Sequence, residues 1–263
     1  MSERIIRSLS VFADGSEIDG YSRIRFTGGE RMDTQPCLFP YLFRLQIWNL
    51  SEDGYLALSR CKIVTVKSGA SELASGYFDD SARFSTPQGS VATICFSPGL
   101  PLWRSQVSVT VDAGASVKDT VNQLMAASGT GIELLTSEGM DQVVARPQAF
   151  CGRAAECIEE ALSISGARAC LVPSGLSVIP ASGVQVSLSL EEEDLLDAPE
   201  FPHTGLMLLR TRAAGWTLGK SVRAVWEGEA YTGLIRERAF DLDTGDGPWN
   251  TELLLELRPH HDP

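Results

Sequence analysis

The sequence predicts an α+β protein in which two β-rich, barrel-like domains flank a small α/β domain. Apolar and polar residues alternate over 1–112, apolar residues recur at helical spacing over 113–182, and alternation returns over 183–263. We therefore predict an N-terminal barrel-like domain, a middle domain and a C-terminal barrel-like domain with those bounds.

The first domain is predicted to contain about six short strands and one helical turn. Strict alternation over residues 23–27 (Arg-Ile-Arg-Phe-Thr) is typical of a strand with one buried and one wet face. Ser51 can cap a helical turn at Tyr55–Leu58. The other strands, mostly separated by Gly or Pro, are predicted at 43–47, 61–67, 73–84, 91–96 and 106–112.

The middle domain is predicted to duplicate a helix–strand unit. The first helix has capping-box spacing at Ser116 and Asp119 and a stop signal at Gly129. A second helix repeats its pattern 37 residues later, as from Val117 to Ala154. The apolar stripes of the two helices comprise Val117, Val121, Leu124 and Met125, and then Ala154, Cys157, Ile158, Ala161 and Leu162. A short apolar strand is predicted after each helix, at 131–135 and 167–172.

The last domain is again predicted to be β structure. Its strands are expected at 184–190, 206–211, 221–226, 231–240 and 251–257, with an acidic loop, Glu191–Glu200, after the first.

Composition excludes several classes of protein. The chain has 263 residues, 43% of them apolar, and a formal charge of −12. An acidic chain that has no run of Lys or Arg residues is not expected to bind the phosphate backbone of nucleic acids. The longest apolar stretch, Cys37–Leu50, has 14 residues and is interrupted by Pro40 and Arg44, so no membrane span is expected. The N-terminus does not resemble a secretory signal, so we expect synthesis and retention in a cytosol.

No catalytic, cofactor-binding or metal-binding residue is predicted. A histidine-based site would need His203, because His260 and His261 stand at the C-terminus. The adjacent acids Asp79 and Asp80 would point to opposite faces of a strand, and Glu191–Asp194 is typical of a solvated loop. The segment Asp241–Glu252 resembles a calcium loop but has Gly245 and Asp246 at positions that need a ligand and a glycine, so a hairpin connection is favoured.

The cysteines and tryptophans are read as structural. Cysteines 37, 61, 95, 151, 157 and 170 lack metal-ligand spacing, and we expect them to be buried, reduced and inert. Core packing is the default for tryptophans 48, 103, 216, 226 and 249, although aromatic residues also anchor protein interfaces.

Three stretches of the sequence, taken in order, resemble the motifs of one family. The stretch Phe43–Ser51 reads as a strand that ends in an aromatic-Asn-Leu-Ser step before a short helix, and 64–69 and 73–77 read as the hairpin that follows. In the stretch 231–253, an acidic Gly-rich turn precedes Trp-x-Thr-x-Leu, as in a closing hairpin. In this combination the sequence resembles the baseplate hub proteins of contractile phage tails of the Mu-like type, which are related to the hub of type VI secretion spikes. The capped helix at 116–128 occupies the place expected for that family, whereas Phe240 stands where the family often has a histidine.

The resemblance implies a non-enzymatic role in a virion tail baseplate, with assembly in the cytoplasm of a bacterial host. It implies a homotrimer in which two barrel-like domains per subunit form a ring of six similar domains. The implied partners are a tail tube protein, a spike protein and other baseplate proteins, with no cofactor. A negative channel wall would repel the phosphates of a passing genome, which is a reason for the acidity.

Two other functions are compatible with the residues. The β-rich domains could form a carbohydrate- or cell-wall-binding module with a LysM-like middle unit. A cell-wall hydrolase would use Asp79 or Asp80.

Overall fold

The fold is that of a computed structural model. It describes residues 7–32, 38, 41–87, 89–172, 175–180, 186–212 and 216–257, with backbone only at 172, 186 and 187.

The first part of the chain is β structure with two short helices. Its elements are β1 (Ser10–Ala13), β2 (Ser16–Ile18), β3 (Arg23–Arg31), β4 (Phe43–Trp48), α1 (Glu52–Arg60), β5 (Ile63–Ser68), β6 (Ser71–Thr86), β7 (Gly89–Ser97) and α2 (Leu100–Arg104). The predicted strands from β3 to β7 are confirmed, and β1, β2 and α2 were not predicted. In β3, Ile24 and Phe26 are buried while Arg23 and Arg25 are half-exposed, as the alternation requires. Ser51 caps α1 as predicted, because its Oγ accepts a hydrogen bond from the Gly54 amide at 3.1 Å.

The middle part contains two helices and two antiparallel strand pairs. Its elements are β8 (Gln106–Val111), α3 (Val117–Ser128), β9 (Gln148–Arg153), α4 (Ala154–Ser163), β10 (Arg168–Val172) and β11 (Gly175–Ile179). Strand β8 was predicted within the first domain, but it pairs with β9 and its buried residues pack in the core of α3 and α4. Strand β10 pairs with β11. The Ser116 cap of α3 is confirmed by a 3.0 Å hydrogen bond from the Asp119 amide, and Gly129 ends the helix with a φ of +64°.

The predicted strand at 131–135 is reduced to a single bridge. Leu134 pairs in parallel with Leu176 of β11, outside any named strand. Leu171, which follows Leu134 by 37 residues, pairs with the same Leu176 within the β10–β11 hairpin. The segment around Leu134 and the strand β10 therefore both pair with β11. The duplication of the helix–strand unit stays a prediction.

The last part of the chain is β structure, as predicted. Its elements are β12 (Val186–Leu190), a turn of 3-10 helix (Glu192–Asp194), β13 (Leu206–Thr211), β14 (Ser221–Trp226), β15 (Glu229–Asp243) and β16 (Trp249–Leu257). Residues 184 and 185 of the first predicted strand lie outside the described residues.

Strands from the first and last parts form one twelve-stranded sheet. Its order is β12-β14-β15-β3-β4-β7-β6-β5-β1-β2, and β16 pairs with the other edge of β15 and with β13. The joint is the antiparallel pair of β3 and β15, in which Phe26 stands opposite Leu242. The α+β class is confirmed. The described strands form an open path and no closed barrel, because the end strands β12 and β2 do not pair with each other and each has a described partner on one edge only.

Three apolar cores underlie this architecture. The first contains a cluster of four phenylalanine rings, with centroids 5.3 Å apart between Phe26 and Phe240. The second is formed by α3, α4 and the strands packed on them. The third lies under β13–β16 and includes Leu209 and Leu253. Phe240 of β15 belongs to the first core and Ile235 of the same strand to the third, so one strand serves both. Among the described residues, no helix is long and apolar enough to span a membrane.

Candidate assembly interface

Two cross-strand ion pairs connect β3 to β15. Arg23 pairs with Asp243, and Arg25 pairs with Asp241 at 3.1 Å. Asp243 is buried, and the Arg23 guanidinium that donates to it holds the pKa of this carboxyl below its ordinary value against the opposing effect of burial. The alternation of β3 therefore places its two arginines within ion-pair distance of the acidic side chains of β15.

A buried ion pair lies within the seam between β3 and β15, where Arg238 of β15 stands opposite Glu30 of β3. Arg238 is 2% exposed and Glu30 is 6% exposed, and Arg238 Nη2 lies 2.7 Å from Glu30 Oε2. Arg238 also donates to the Trp216 carbonyl oxygen. Burial raises the pKa of Glu30, and the guanidinium opposes that rise. Loss of either partner would leave the other charge buried.

Strand β6 has one edge that no described strand covers over its second half. Tyr77 pairs with both Ile63 of β5 and Ser97 of β7, and beyond it β6 pairs with β7 as far as Thr86. Among the described residues, no strand pairs with the opposite edge of β6 over 80–86. We call 80–86 of β6, together with its β7 partner residues, the arm.

Contacts with α1 and the loop before it hold the arm in place. Arg83 donates to the Leu50 carbonyl oxygen at 2.9 Å and pairs with Glu52. The Asn49 amide donates to the Ser90 carbonyl oxygen at 2.8 Å. Phe84 is left 48% exposed. A positioned arm with an open edge and an exposed ring has the features of a protein contact.

The sheet has two further open edges in its described part. Strand β12 pairs with β14 alone, and β2 pairs with β1 alone. Strand β12 contains no charged residue over Val186–Leu190. An uncharged edge strand is a site at which another strand can pair.

The acidic loop Glu191–Glu200 covers the edge of β13. Leu195 bridges to Thr211 and Glu200 bridges to Leu208. The acidic side chains are exposed, as predicted for a solvated loop. Arg210 anchors the loop through Asp197 at 3.1 Å. The loop therefore covers this edge of β13.

The acids considered for chemistry have structural partners. Asp79 lies at a bulge in β6 and accepts a hydrogen bond from Arg104 at 2.6 Å. Asp80 accepts from the amide of Ser81 at 2.8 Å. The structure therefore does not bring them together as a catalytic pair. Over the described ranges, no group of three or more His, Cys, Asp or Glu residues could hold a metal ion.

The segment 241–252 forms the predicted hairpin. Leu242 stands opposite Trp249, and the Asp243 amide donates to the Pro248 carbonyl oxygen at 2.8 Å. Asp241 and Asp243, which would be calcium ligands, are bound by arginines of β3. His203 lies in an exposed loop, and His260 and His261 lie outside the described residues.

The predicted burial of the cysteines is confirmed at three of the five described positions. Cysteines 61, 157 and 170 are buried, Cys95 is half-buried and Cys151 is exposed. Cys151 points outward because β9 alternates and its neighbour Phe150 occupies the core. Cys37 lies outside the described residues.

Core packing of tryptophan is confirmed in full only for Trp216, which is buried. The other four are half-buried. Arg23 lies over the ring of Trp48 at 4.7 Å, and Arg153 lies over the ring of Trp103 at 5.1 Å. These rings therefore combine packing with cation–π contacts.

Comparison with solved structures shows which proteins share this fold. The tail protein of Neisseria meningitidis MC58 superposes with a TM-score of 0.70 at 13% identity, over 95% of this chain and 96% of that one. The chain has the fold of this tail protein. The resemblance predicted from the sequence motifs is thereby confirmed at the level of the fold.

Two further structures share this tail-protein fold. The 43 kDa tail protein of prophage MuSo2 from Shewanella oneidensis matches with a TM-score of 0.64 at 12% identity, over 95% of this chain and 96% of that one. A component of the Escherichia coli type VI secretion system, which exhibits structural similarity to the T4 bacteriophage tail proteins gp27 and gp5, matches with a TM-score of 0.67 at 11% identity, over 95% of this chain and 77% of that one. No family model matches the sequence, and no curated protein matches it.

Sequence reasoning did not find the open edge of β6. The strand was predicted at 73–84, but the point at which β5 leaves it depends on long-range pairing. The one local signal was the pair of acids Asp79–Asp80 in an otherwise strand-like run, which marks the bulge.

Proposed function

We propose that this chain is a structural baseplate hub of a contractile tail from a phage or a prophage-derived particle. Three copies would form a ring that joins the tail tube to the central spike. The observation that carries the proposal is the match to a tail protein and a prophage tail protein over nearly the full length of all three chains. The role of the molecule is then geometric, and no catalytic role is proposed.

The open edges support assembly into a closed ring. An unpaired strand edge invites pairing with another chain, and a head-to-tail contact between different surfaces produces either a ring or an open fibre. The arm and the β12 edge are two such surfaces at different places in the sheet. Closure after three copies would cover them and limit the assembly.

The charge of the chain supports a conduit. Three copies, each with a formal charge of −12, would carry −36. A negative channel wall repels DNA phosphates and lets them pass without binding. Measurement of the charge along the channel of the assembled ring tests this part of the proposal, since a neutral or basic wall would contradict it.

Light scattering at increasing protein concentration tests the ring directly. We expect a mass of three chains, which Phe84→Asp shifts towards the monomer by placing a charge on the arm. Leu135→Asp is the matched control, because Leu135 is 41% exposed and lies in the middle part of the chain. A monomer at every concentration, or equal loss of the trimer in both variants, would contradict the proposal. Co-sedimentation with peptidoglycan would support a cell-wall-binding module instead.

A further inference from the structure

The acidic loop Glu191–Glu200 gives the edge of β13 the backbone hydrogen bonds that a neighbouring strand would give it. The Leu208 amide donates to the Glu200 carbonyl oxygen at 2.7 Å, and the Glu200 amide donates back to the Leu208 carbonyl oxygen at 3.0 Å. The Leu196 amide donates to the Arg210 carbonyl oxygen at 2.8 Å. The loop therefore occupies the place of a strand while pairing with β13 only through isolated bridges.

Arg210 connects the loop to the sheet through three carboxylates. It belongs to β13, and its guanidinium lies 3.1 Å from the carboxylate of Asp197 and 3.7 Å from that of Glu200, both in the loop. The same guanidinium donates to Glu252 Oε1 on β16 at 2.8 Å. Among the described residues, no second cation pairs with these three carboxylates. One positive charge therefore serves three negative ones.

The loop has no positive charge of its own. It contains six acidic residues and no Lys or Arg. At its start, Arg223 of β14 lies 3.8 Å from Glu191, at the opposite end of the loop from the bridge at Glu200. Removal of Arg210 would therefore leave its three carboxylates as neighbours without a counter-charge, and like charges repel.

The strand under the loop is apolar. Strand β13 reads Leu-Met-Leu-Leu-Arg-Thr, and Arg210 is its only charged residue. Met207 and Leu209 are buried in the third core, whereas Leu206 and Leu208 are half-buried on the other face. Sheets protect an apolar edge with charges, prolines or a covering segment, because a bare edge pairs with another chain. For β13 the covering segment is the acidic loop.

Without its cover, the edge of β13 would be complementary to itself. The backbone groups that point to this edge belong to Leu206, Leu208 and Arg210, and the Leu206 amide donates to the His203 carbonyl oxygen at 3.0 Å. Antiparallel strands match such edge-facing residues with one another. Two copies can therefore align with Leu208 opposite Leu208 and Arg210 opposite Leu206, so that no like charges stand directly opposite each other.

We propose that the β13 edge is a latent pairing surface for a second copy of this chain, which the acidic loop keeps closed with Arg210 as its clasp. Loss of the clasp lets the loop leave β13, and the bare edges of two copies then pair about a two-fold axis. The closed loop thus restricts association to other surfaces. The contacts that hold it lie within one chain, so the inference does not rest on the proposed hub function.

Hydrogen exchange of the Leu208 amide at low protein concentration reports whether the loop is closed, because this amide donates to Glu200. In Arg210→Ala we expect the amide to exchange about tenfold faster than in the wild type, since two exposed ion pairs to the loop are lost. At high concentration the amide should regain protection, because a second copy covers it. Equal exchange in the wild type and in Arg210→Ala would overturn the role of the clasp.

Two controls show whether the effect is local. Arg223→Ala removes the pair with Glu191 and leaves the clasp in place, so its Leu208 amide should exchange as in the wild type. The amides of Met207 and Leu209 alternate towards β16 and should keep their protection in Arg210→Ala, which shows that the strand is still folded. Faster exchange of Leu208 in Arg223→Ala as well would contradict a clasp at Arg210.

Light scattering at equal concentrations tests the pairing of copies. Arg210→Ala should have at least about twice the mass of the wild type, and Arg223→Ala should have the wild-type mass. Addition of Leu208→Lys to Arg210→Ala places like charges opposite each other in the paired edges and should restore the wild-type mass. A wild-type mass for Arg210→Ala despite fast exchange of Leu208, or a raised mass that persists with Leu208→Lys, would overturn the proposal. A monomeric wild type would contradict the hub and leave this comparison intact.

Discussion

At the scale of single residues, the sequence predicts orientation but not partners. Alternation in β3 places Arg23 and Arg25 on the wet face, and the structure confirms it. Their partners, Asp241 and Asp243, lie more than 200 positions later, in a segment whose sequence resembles a calcium loop. The identity of a cross-strand partner depends on register between distant strands, which local periodicity does not contain.

Removal of one member of the buried pair should be costly. Glu30→Ala should lower the free energy of unfolding by about 3–5 kcal/mol, because Arg238 would keep its charge without a partner in the core. Arg25→Ala, which breaks a half-exposed pair, should cost about 0–1 kcal/mol. Urea unfolding of the two variants measures the difference. Equal losses would show that Arg238 is not effectively buried.

Asp243 should make the free energy of unfolding depend on pH in the acid range. Its pKa lies below the ordinary value of 3.8, so its stabilising contribution is present above that value and is lost as pH falls through the lowered one. Asp243→Asn should therefore be less stable than the wild type at pH 7, and the gap should narrow at pH 3. Thermal unfolding at the two pH values checks this, and a gap that widens on acidification would contradict it.

At the scale of elements, local signals predicted most helices and strands. The cap at Ser116 and the stop at Gly129 mark both ends of α3, because both signals are chemical and local. The helix α2 has no side-chain cap and β2 has only three residues, so neither has a sequence pattern that predicts it. The segment 131–135 has an apolar run but forms a single bridge, because it meets β11 at one point only.

Removal of the α3 cap should weaken the middle part. Ser116→Ala should cost about 1 kcal/mol, since the Asp119 amide loses its acceptor. Ser163→Ala serves as the control. Ser163 is the last residue of α4, and its hydroxyl donates to the Glu160 carbonyl oxygen and does not cap a helix N-terminus. Chemical unfolding compares the two variants. Equal stability of Ser116→Ala and the wild type would mean that water replaces the cap without loss.

At the scale of the whole molecule, the order of β, α/β and β parts was predicted, but their connection was not. Strand β15 pairs with β3 and contributes Phe240 to the first core and Ile235 to the third. The first and last parts were each predicted to be a barrel-like unit, whereas their described strands form one open sheet. Whether a sheet closes into a barrel depends on pairing between strands that are distant in sequence. In the hub proposal, neighbouring copies cover the strand edges that remain open in one chain.

Electron microscopy of the purified protein at high concentration tests the central claim most directly. The hub proposal predicts rings of three chains in which the edge of the arm contacts a neighbouring copy and Phe84 is covered. Images of single chains, or of oligomers in which the arm and the β12 edge both face solvent, would contradict it.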